Sequence, residues 1–447
     1  MSKKIYFESL GCSKNLVDAE IMMDLLHKNK YTITDDLEQA EIAVINTCGF
    51  IDSAKEESIQ HILSTAKYKE KLLKKLIVTG CLAERYKDEL INEMPEIDAL
   101  LGTGRYEEIV DLVGESIYEQ NRIRTGNIDQ LYNEEMSRFR TTPDYMAYVK
   151  IADGCDNHCT YCVIPQLRGK YRSREIDAIV KEAESLADSG VKEIVLIAQD
   201  TTAYGIDIYN KFMLPELLYK LENIHGIQWI RLLYCYPERI TDELIYAMKT
   251  CSKVCKYLDI PIQHSEDRIL KRMNRAARKD KIIQLVSKLR NEMPGITIRT
   301  TLIVGFPGET EEEFNSLKEF VKTMKFDKLG VFDYSQEEGT PAATMAQQID
   351  HNVKIQRKES VMLLQQQISA EIQNGYVGQV KQIIVEESLV ESDDIIEYIG
   401  RTENDAPEID GSVYFTSRLK LTIGDIVPVR ITGALEYDLM GEAIDET

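Results

Sequence analysis

The chain of 447 residues lacks an excess of positive charge: 75 Asp and Glu outnumber 54 Lys and Arg, which gives a formal net charge of -21. This balance argues against broad nucleic-acid binding through a basic surface. The sequence also lacks an apolar run long enough to span a membrane, and its start, MSKKIYFESLGC, lacks the apolar core of a signal peptide. We therefore expect a cytoplasmic protein without membrane association, and direct nucleic-acid binding is not expected.

The chain is too long for one ordinary domain, and its pattern of apolar and polar residues changes along its length. Residues 1–120 alternate short apolar runs with amphipathic helical patterns and predict an open parallel α/β sheet domain. Residues 121–140 show no sustained period and predict a linker. Residues 141–375 repeat a strand–helix unit six times, which predicts a partial (β/α)6 barrel of the TIM type. Short strands between turn residues predict a small antiparallel β barrel over residues 376–445.

Cysteine is sparse, yet three of the nine cysteines lie within eight residues. GCDNHCTYC places Cys155, Cys159 and Cys162 after the first predicted barrel strand, and barrel chemistry lies at carboxyl ends of strands. Buried structural thiols are one alternative. A zinc site is another, but its local fourth donor, His158, is adjacent to Cys159, where reaching the same metal is awkward. The spacing favours a 4Fe-4S cluster on three thiolates, with one iron open to a small molecule.

Three more cysteines are far apart in sequence, but each follows a strand predicted for the first domain. Cys12 comes after KIYF, Cys48 after IAVI and Cys81 after KLIV. Lone cysteines are usually inert core residues. Because the carboxyl ends of parallel strands line one edge of a sheet, where ligands bind, these three could converge on one site.

The remaining cysteines are predicted to be structural. An odd count in an unsecreted chain favours free thiols or metal ligands over disulfides. CSKVC has a metal-like spacing, but it straddles a predicted helix end, where positions i and i+4 share a face. We expect Cys251 and Cys255 to be structural thiols and Cys235, within a predicted strand, to be buried.

The cysteine triplet after the first strand of a partial barrel resembles that of the radical S-adenosylmethionine enzymes. The resemblance implies that S-adenosylmethionine binds the open iron and is cleaved, on one-electron reduction, to a 5'-deoxyadenosyl radical. Tyr161 fits the aromatic residue usual before the last cysteine. TTLIVGFPGET, residues 300–310, is similar to the Gly-rich strand near the adenosine, although an ordinary strand–helix turn is an equal alternative. Gln199 and Asp200 are candidates for the same cavity.

Almost the whole chain resembles the methylthiotransferase family. There, an amino-terminal domain with its own cluster precedes a radical domain and a carboxy-terminal TRAM domain. The resemblance implies a second 4Fe-4S cluster on Cys12, Cys48 and Cys81. Members insert sulfur into an unreactive C–H bond and deliver a methyl group to it. One branch modifies an adenosine of tRNA, and the other modifies an aspartate of small-subunit ribosomal protein twelve.

Four stretches favour the ribosomal-protein branch, the RimO type. LGCSKNLVDAE at 10–20 is similar to its LGCPKNxVDSE, with Ser13 in place of the usual proline, whereas the tRNA branch has GCQMN. The other three resemble its NTCGFI, AQDTxxYG and RxxxDAPEIDG patterns, and they are NTCGFIDSAKEES at 46–58, IAQDTTAYG at 197–205 and RTENDAPEIDG at 401–411. The resemblance implies methylthiolation of the aspartate β-carbon, with an external electron donor and a sulfur source as further partners.

Charge provides an independent argument about the partner. Residues 376–447 carry 16 Asp and Glu against 5 Lys and Arg. A domain that binds tRNA needs cations for the phosphates, whereas an acidic barrel attracts a basic ribosomal protein. The alternative is that the acidic residues only form a solvated surface. Asp405, Glu408 and Asp410 are candidates for partner contact. The basic run RGKYRSR, residues 168–174, could hold carboxylates at the barrel mouth or be exposed.

Two other functions stay open at this point. A tRNA adenosine methylthiotransferase would use the same chemistry. A non-catalytic iron–sulfur or electron-transfer protein would use the cysteines, but it would need neither an open iron nor a six-unit barrel.

Overall fold

The computed structural model describes residues 3–115, 122–126, 128–130, 134, 137–391 and 395–444. Its first part is a parallel sheet of six strands in the order β2-β1-β3-β4-β5-β6. The strands are β1 (Lys4–Ser9), β2 (Thr32–Thr34), β3 (Ile42–Thr47), β4 (Lys75–Gly80), β5 (Ala99–Leu101) and β6 (Ile123–Arg124). The helices are α1 (Ser13–Lys28), α2 (Asp52–Ala66), α3 (Cys81–Arg85), α4 (Lys87–Glu93) and α5 (Ile109–Gly114). The predicted parallel α/β domain is confirmed.

The sheet extends further along the chain than its sequence pattern indicated. β3 and β4 are buried at every residue, as expected for central parallel strands that are covered on both faces. β6 pairs in parallel with β5, although its residues fall in the predicted linker. A two-residue strand has no periodicity, so the pairing is visible only in three dimensions. Residues 121, 127, 131–133 and 135–136 of that linker lie outside the described residues.

The central region contains six parallel strands in chain order, β7-β10-β11-β12-β13-β14, and confirms the six-unit partial barrel. These strands are β7 (Met146–Lys150), β10 (Glu193–Ile197), β11 (Trp229–Leu232), β12 (Val254–Asp259), β13 (Thr297–Val304) and β14 (Lys328–Asp333). A separate two-stranded ribbon is formed by β8 (Ala152–Asp153) and β9 (Arg172–Ser173). The helices of the region are α6 (Ile164–Arg168), α7 (Ile176–Asp188), α8 (Ile206–Tyr209), α9 (Leu214–Glu222), α10 (Asp242–Thr250), α11 (Asp267–Arg272), α12 (Lys279–Glu292), α13 (Glu311–Met324) and α14 (His351–Asn374).

Helix α14 joins the partial barrel to the last part of the chain. Gln365 Nε2 donates to the Phe326 carbonyl at 2.9 Å, and Gln373 Nε2 donates to the Tyr437 carbonyl at 2.5 Å. The helix therefore contacts both parts. No helix within the described ranges is long and apolar enough to cross a membrane.

The carboxy-terminal part is a closed barrel in the order β15-β16-β17-β19-β18. Its strands are β15 (Val380–Glu391), β16 (Ile396–Thr402), β17 (Val413–Ser417), β18 (Ile426–Ala434) and β19 (Leu439–Ala443). The predicted small barrel is confirmed, with one difference: β17 and β19 pair in parallel. β18 lies between these two strands in sequence and runs antiparallel to β19. The chain therefore runs along β19 in the same direction as along β17.

The carboxy-terminal barrel docks at the amino-terminal end of the partial barrel through buried charges. Glu193, the first residue of β10, accepts from Arg231 Nε at 2.8 Å and from Arg401 of β16. Arg401 Nε also donates to Glu386 at 2.8 Å. Glu193, Arg231 and Arg401 are all buried. The charges therefore compensate one another inside the interface, as buried ions require.

The DAPEIDG loop strengthens the same contact, and this corrects the expectation for two of its acidic residues. Asp405 is buried and accepts from Lys328 Nζ at 2.6 Å. The carboxylate of Asp410 is also buried, and it accepts from the Tyr257 hydroxyl at 2.7 Å. Both carboxylates are occupied by this chain's own residues, so they are not available to a partner. Glu408 is exposed and stays a candidate.

The docking network yields a prediction about stability. Replacing Arg401 with Met should destabilise the docked barrel by about 3–5 kcal/mol, because the buried Glu193 would lose one of its two cations. We expect a lower thermal midpoint and faster release of a carboxy-terminal fragment in limited proteolysis. Arg418→Ala, at an exposed arginine of the same barrel, is the control. Equal midpoints and cleavage rates for the two variants would contradict this account.

Candidate functional site

Three adjacent strands of the first sheet bring three cysteines to one edge. Cys12 is the N-cap of α1 after β1, Cys48 directly follows β3, and Cys81 begins α3 after β4. The loops approach closely, since a Cβ on Gly11 would lie 2.8 Å from that of Cys48. Gly11 also has φ of +90°, a conformation that favours glycine. The structure therefore brings together the three cysteines that are dispersed in sequence.

Asn15 ties these loops together, a role that the sequence patterns did not indicate. Its Nδ2 donates to the Leu10 carbonyl at 3.2 Å and to the Thr47 carbonyl at 3.0 Å. Its Oδ1 lies 3.6 Å from Cys81 Sγ and accepts from Arg168. The available signal was the spacing, because Asn15 lies three residues after Cys12 at the start of a helix.

The cysteine triplet follows the short strand β8, at the carboxyl end of the partial barrel. Asn157 Nδ2 donates to Cys155 Sγ at 3.3 Å, and the Ile164 backbone N–H donates to Cys162 Sγ at 3.5 Å. Arg275 Nη1 lies 3.9 Å from Cys159 Sγ. Each sulfur therefore has a nearby N–H donor, an arrangement that suits a thiolate ligand.

The other candidate residues of the barrel surround the same loop. Gln199 Nε2 donates to Asp153, just before the triplet, at 2.8 Å, and Asp200 accepts from Asn157 at 2.9 Å. Tyr161 packs against a cluster that includes Phe306 of the Gly-rich stretch. Gln199, Asp200 and this stretch are thus adjacent to the triplet.

The first cysteine site contacts the triplet segment at the boundary between the first sheet and the partial barrel. Cys81 of α3 packs with Val163 and Leu167 of the triplet segment in one buried cluster. Arg168, at the end of α6, extends into the first domain and pairs with Asp18 at 2.6 Å. These contacts fix the distance and orientation between the sites.

Arg168 and Arg174 decide between the alternatives for the basic run at 168–174. Arg168 also pairs with Asp153 at 3.1 Å, and its Nη2 lies 3.8 Å from Cys81 Sγ. Arg174 is buried and pairs with Glu182 at 2.5 Å. Both arginines therefore hold carboxylates of this chain.

Electrostatics links the thiols of the first site. Burial raises the pKa of Cys81 to about 12, and the proximity of Cys12 and Cys48 adds to the effect. Burial likewise raises the pKa of the Cys48 thiol. For Cys12, desolvation raises the pKa, but the charges of Lys14 and Arg168 outweigh it and the pKa is lowered. The three sulfurs are close enough to influence one another, and two of them need a strong cation nearby to ionise.

The thiols of the triplet show the same requirement. Burial raises the pKa of Cys155 and that of Cys162, and the neighbouring Cys159 adds to both. Across the described ranges, no three His, Cys, Asp or Glu side chains are grouped as ligands of a single metal ion. The N–H donors beside the three sulfurs of the triplet suit thiolate ligands.

The cysteines predicted to be structural lie in the hydrophobic core. Cys235 and Cys251 pack in the main cluster of the partial barrel, and Cys255 packs in the cluster that extends into the first sheet. Burial raises the pKa of Cys251 to about 11 and that of Cys255 to about 12.

Profiles of three known families match the chain. They are an uncharacterized protein family, UPF0004, over residues 4–102, the Radical SAM superfamily over residues 149–321 and the TRAM domain over residues 377–444. Two similar proteins are both named ribosomal protein uS12 methylthiotransferase RimO. The protein of Clostridioides difficile (strain 630) is 50% identical over 444 residues, 99% of each chain. That of Desulforamulus reducens is 53% identical over 436 residues, 97% of this chain and 98% of the other.

A solved structure shares the fold at low sequence identity. The radical S-adenosylmethionine methyltransferase TsrM from Kitasatospora setae, with tryptophan and a S-adenosylmethionine analogue bound, superposes with a TM-score of 0.57 at 13% identity. The match covers 88% of this chain and 79% of that chain.

The hydrogen bonds of Asn15 yield a second prediction. Asn15→Ala should leave two carbonyl groups without their donor and Arg168 without one of its acceptors, at a cost of about 2–4 kcal/mol. Amides in the loops after β1, β3 and β4 should then exchange with solvent at least about tenfold faster. Asn29→Ala, which removes an exposed hydrogen bond at the end of the same helix, should leave these rates unchanged. Unaltered exchange in the Asn15 variant would contradict the proposed role.

Proposed function

The chain belongs to the family of ribosomal protein uS12 methylthiotransferases, RimO, and we propose that it methylthiolates the β-carbon of an aspartate in that ribosomal protein. Identity of about 50% over nearly the whole chain carries this proposal. The chain is a radical S-adenosylmethionine enzyme, with an iron–sulfur cluster and S-adenosylmethionine as cofactors. We further propose that it holds two 4Fe-4S clusters, one in residues 1–120 and one in residues 141–375.

The ligand sets of the two clusters follow from the two cysteine sites. Cys155, Cys159 and Cys162 would hold the cluster that binds S-adenosylmethionine. The second would be held by the cysteines after β1, β3 and β4, which are Cys12, Cys48 and Cys81. When bound, the first cluster with S-adenosylmethionine would supply a radical able to remove a hydrogen atom from a C–H bond too weakly acidic for any side-chain base, and the second cluster would deliver sulfur from the separate source.

The chain's own residues orient these sites and bury four of their six cysteines. The N–H groups of Asn157 and Ile164 stabilise negative sulfur in the triplet. Packing of α3 against the triplet segment excludes solvent from their contact, because the residues there are buried. Arg168 fixes one site relative to the other, so that a substrate bound between them meets both.

Acidic residues of the carboxy-terminal barrel support a basic protein as the partner. With Asp405 and Asp410 occupied internally, the exposed acidic side chains of the described barrel that can attract it are Glu387, Glu397, Glu408, Glu436 and Glu442. Attraction of this kind increases the rate of encounter rather than the affinity. An external electron donor, a separate sulfur source and a cytoplasmic location complete the proposal.

The choice of substrate can be tested directly. We expect the reconstituted enzyme, with reductant, S-adenosylmethionine and sulfide, to add a methylthio group to ribosomal protein uS12, detected as a mass increase. The tRNA should remain unmodified, because the acidic barrel repels phosphates. Modification of tRNA with no change in uS12 would establish the alternative substrate.

The number of clusters can be tested by counting iron after anaerobic reconstitution. Cys12→Ala and Cys155→Ala should each lose about half of the iron, because each removes one ligand of a separate cluster. Cys251→Ala, at a core cysteine outside both sites, is the matched control and should retain all of it. If Cys12→Ala bound as much iron as the wild type, the second cluster would be disproved.

A further inference from the structure

Lys14 is a buried lysine beside the first cysteine site, and it has no carboxylate partner. Its exposed fraction is 6%. Lys150, also buried, pairs with Asp18 and with Asp153. Throughout the part of the chain that the structure describes, no carboxylate forms an ion pair with Lys14. A buried ammonium is normally paired, because its desolvation is costly.

The ammonium group lies at the boundary between the two parts of the enzyme. Lys14 Nζ is 3.3 Å from the centre of the Tyr234 ring, which follows β11 of the partial barrel. Lys14 also follows Cys12 by two residues, in the first turn of α1. Lys14 thus contacts the barrel from a position next to one cysteine of the first site.

The segment that carries Tyr234 connects this lysine with the triplet. Two residues later, the Tyr236 hydroxyl lies 3.8 Å from Cys159 Sγ. Tyr234 has φ of 61°, which is rare for an aromatic residue and costs free energy. Strain of this kind persists where the surrounding structure requires it and is concentrated at functional sites. The strained segment therefore places Tyr234 against Lys14, beside the first cysteine site, and Tyr236 near Cys159 of the triplet.

We propose that Lys14 binds the side-chain carboxylate of the aspartate that the enzyme modifies. This inference rests on the proposed function. A carboxylate that is brought between the two sites leaves water and needs a cation. Lys14 is a buried cation that has no carboxylate partner in the described part of the chain. Since the β-carbon is bonded to the carboxylate carbon, a single ion pair would hold the reacting atom between the sites.

The same pair would give specificity for aspartate over asparagine. An amide in place of the carboxylate could not form the ion pair with the buried ammonium, and sites built for one polar group strongly reject analogues that lack it. Lys14 would therefore act as a substrate-binding residue.

A double-mutant cycle tests this inference. Dissociation constants are measured by fluorescence anisotropy for the reconstituted enzyme with S-adenosylmethionine and no reductant, so that no turnover occurs. The ligands are uS12 and its variant with the target Asp→Asn. We expect the Asp→Asn change in uS12 to weaken binding at least about tenfold for the wild-type enzyme but less than about twofold for Lys14→Met. Only the wild type has the cation that distinguishes the carboxylate from the amide.

Controls separate this role from a structural one. Because the Asp-to-Asn ratio is measured within each enzyme, a general loss of affinity in Lys14→Met does not affect it. Lys14→Arg should retain a preference for aspartate, and Lys14→Gln replaces the Met variant if that one does not bind iron. Lys249→Met, at an exposed lysine on α10, should behave as the wild type.

The outcomes also separate this inference from the proposed function. A tenfold preference for aspartate over asparagine that persists in Lys14→Met and Lys14→Gln would overturn the proposed role of Lys14. Equal binding of both ligands by a wild-type enzyme that methylthiolates uS12 would also overturn this role. Failure of the wild type to modify uS12 at all would instead overturn the proposed function.

Discussion

The ion pairs of Arg168 hold the two halves of the candidate site in one arrangement. The guanidinium belongs to the segment that carries the cysteine triplet, yet it pairs with Asp18 of the first domain as well as with Asp153 of its own. Both charges are withdrawn from water, so breaking the pair would leave a buried charge uncompensated, at a cost of about 3–5 kcal/mol. A small displacement between the domains would have the same effect. The distance between the cysteine sites is therefore fixed by electrostatics as well as by packing.

The opposite end of the partial barrel is closed by a different set of buried charges. Glu193 and Lys328 begin their strands and bind the carboxy-terminal barrel, whereas the cysteine triplet lies at the carboxyl ends. The six residues of β12 separate the two ends by about 20 Å, given the rise of a strand. A partner attracted by the acidic barrel must therefore extend along the partial barrel to reach the cysteines. The proposed attraction and the proposed chemistry therefore occupy opposite ends of the partial barrel.

Lys14 differs from several other buried cations of the chain in what it contacts. Arg168, Arg174 and Arg401 each bind a carboxylate in the folded chain. Lys14 is buried just as they are, but its ammonium group lies over an aromatic ring. Folded proteins accept such local imbalance where a ligand will correct it, and they compensate for it with stability elsewhere. The strained Tyr234 beneath the ammonium is a second departure at the same place.

The sequence alone determined the fold class and the cysteines of interest, because both depend on local patterns. Apolar runs alternating with helical periods specified the two parallel sheets, and C-x3-C-x2-C identified the triplet. That Cys12, Cys48 and Cys81 follow successive strands already predicted a shared edge, since parallel strands end on the same side. Tertiary structure decided how charged residues are used. The acidic DAPEIDG loop resembles a partner surface in sequence, yet Asp405 and Asp410 are buried against Lys328 and Tyr257. No local pattern distinguishes a carboxylate that meets water from one that meets a cation 77 residues away, because that choice depends on which surfaces pack together.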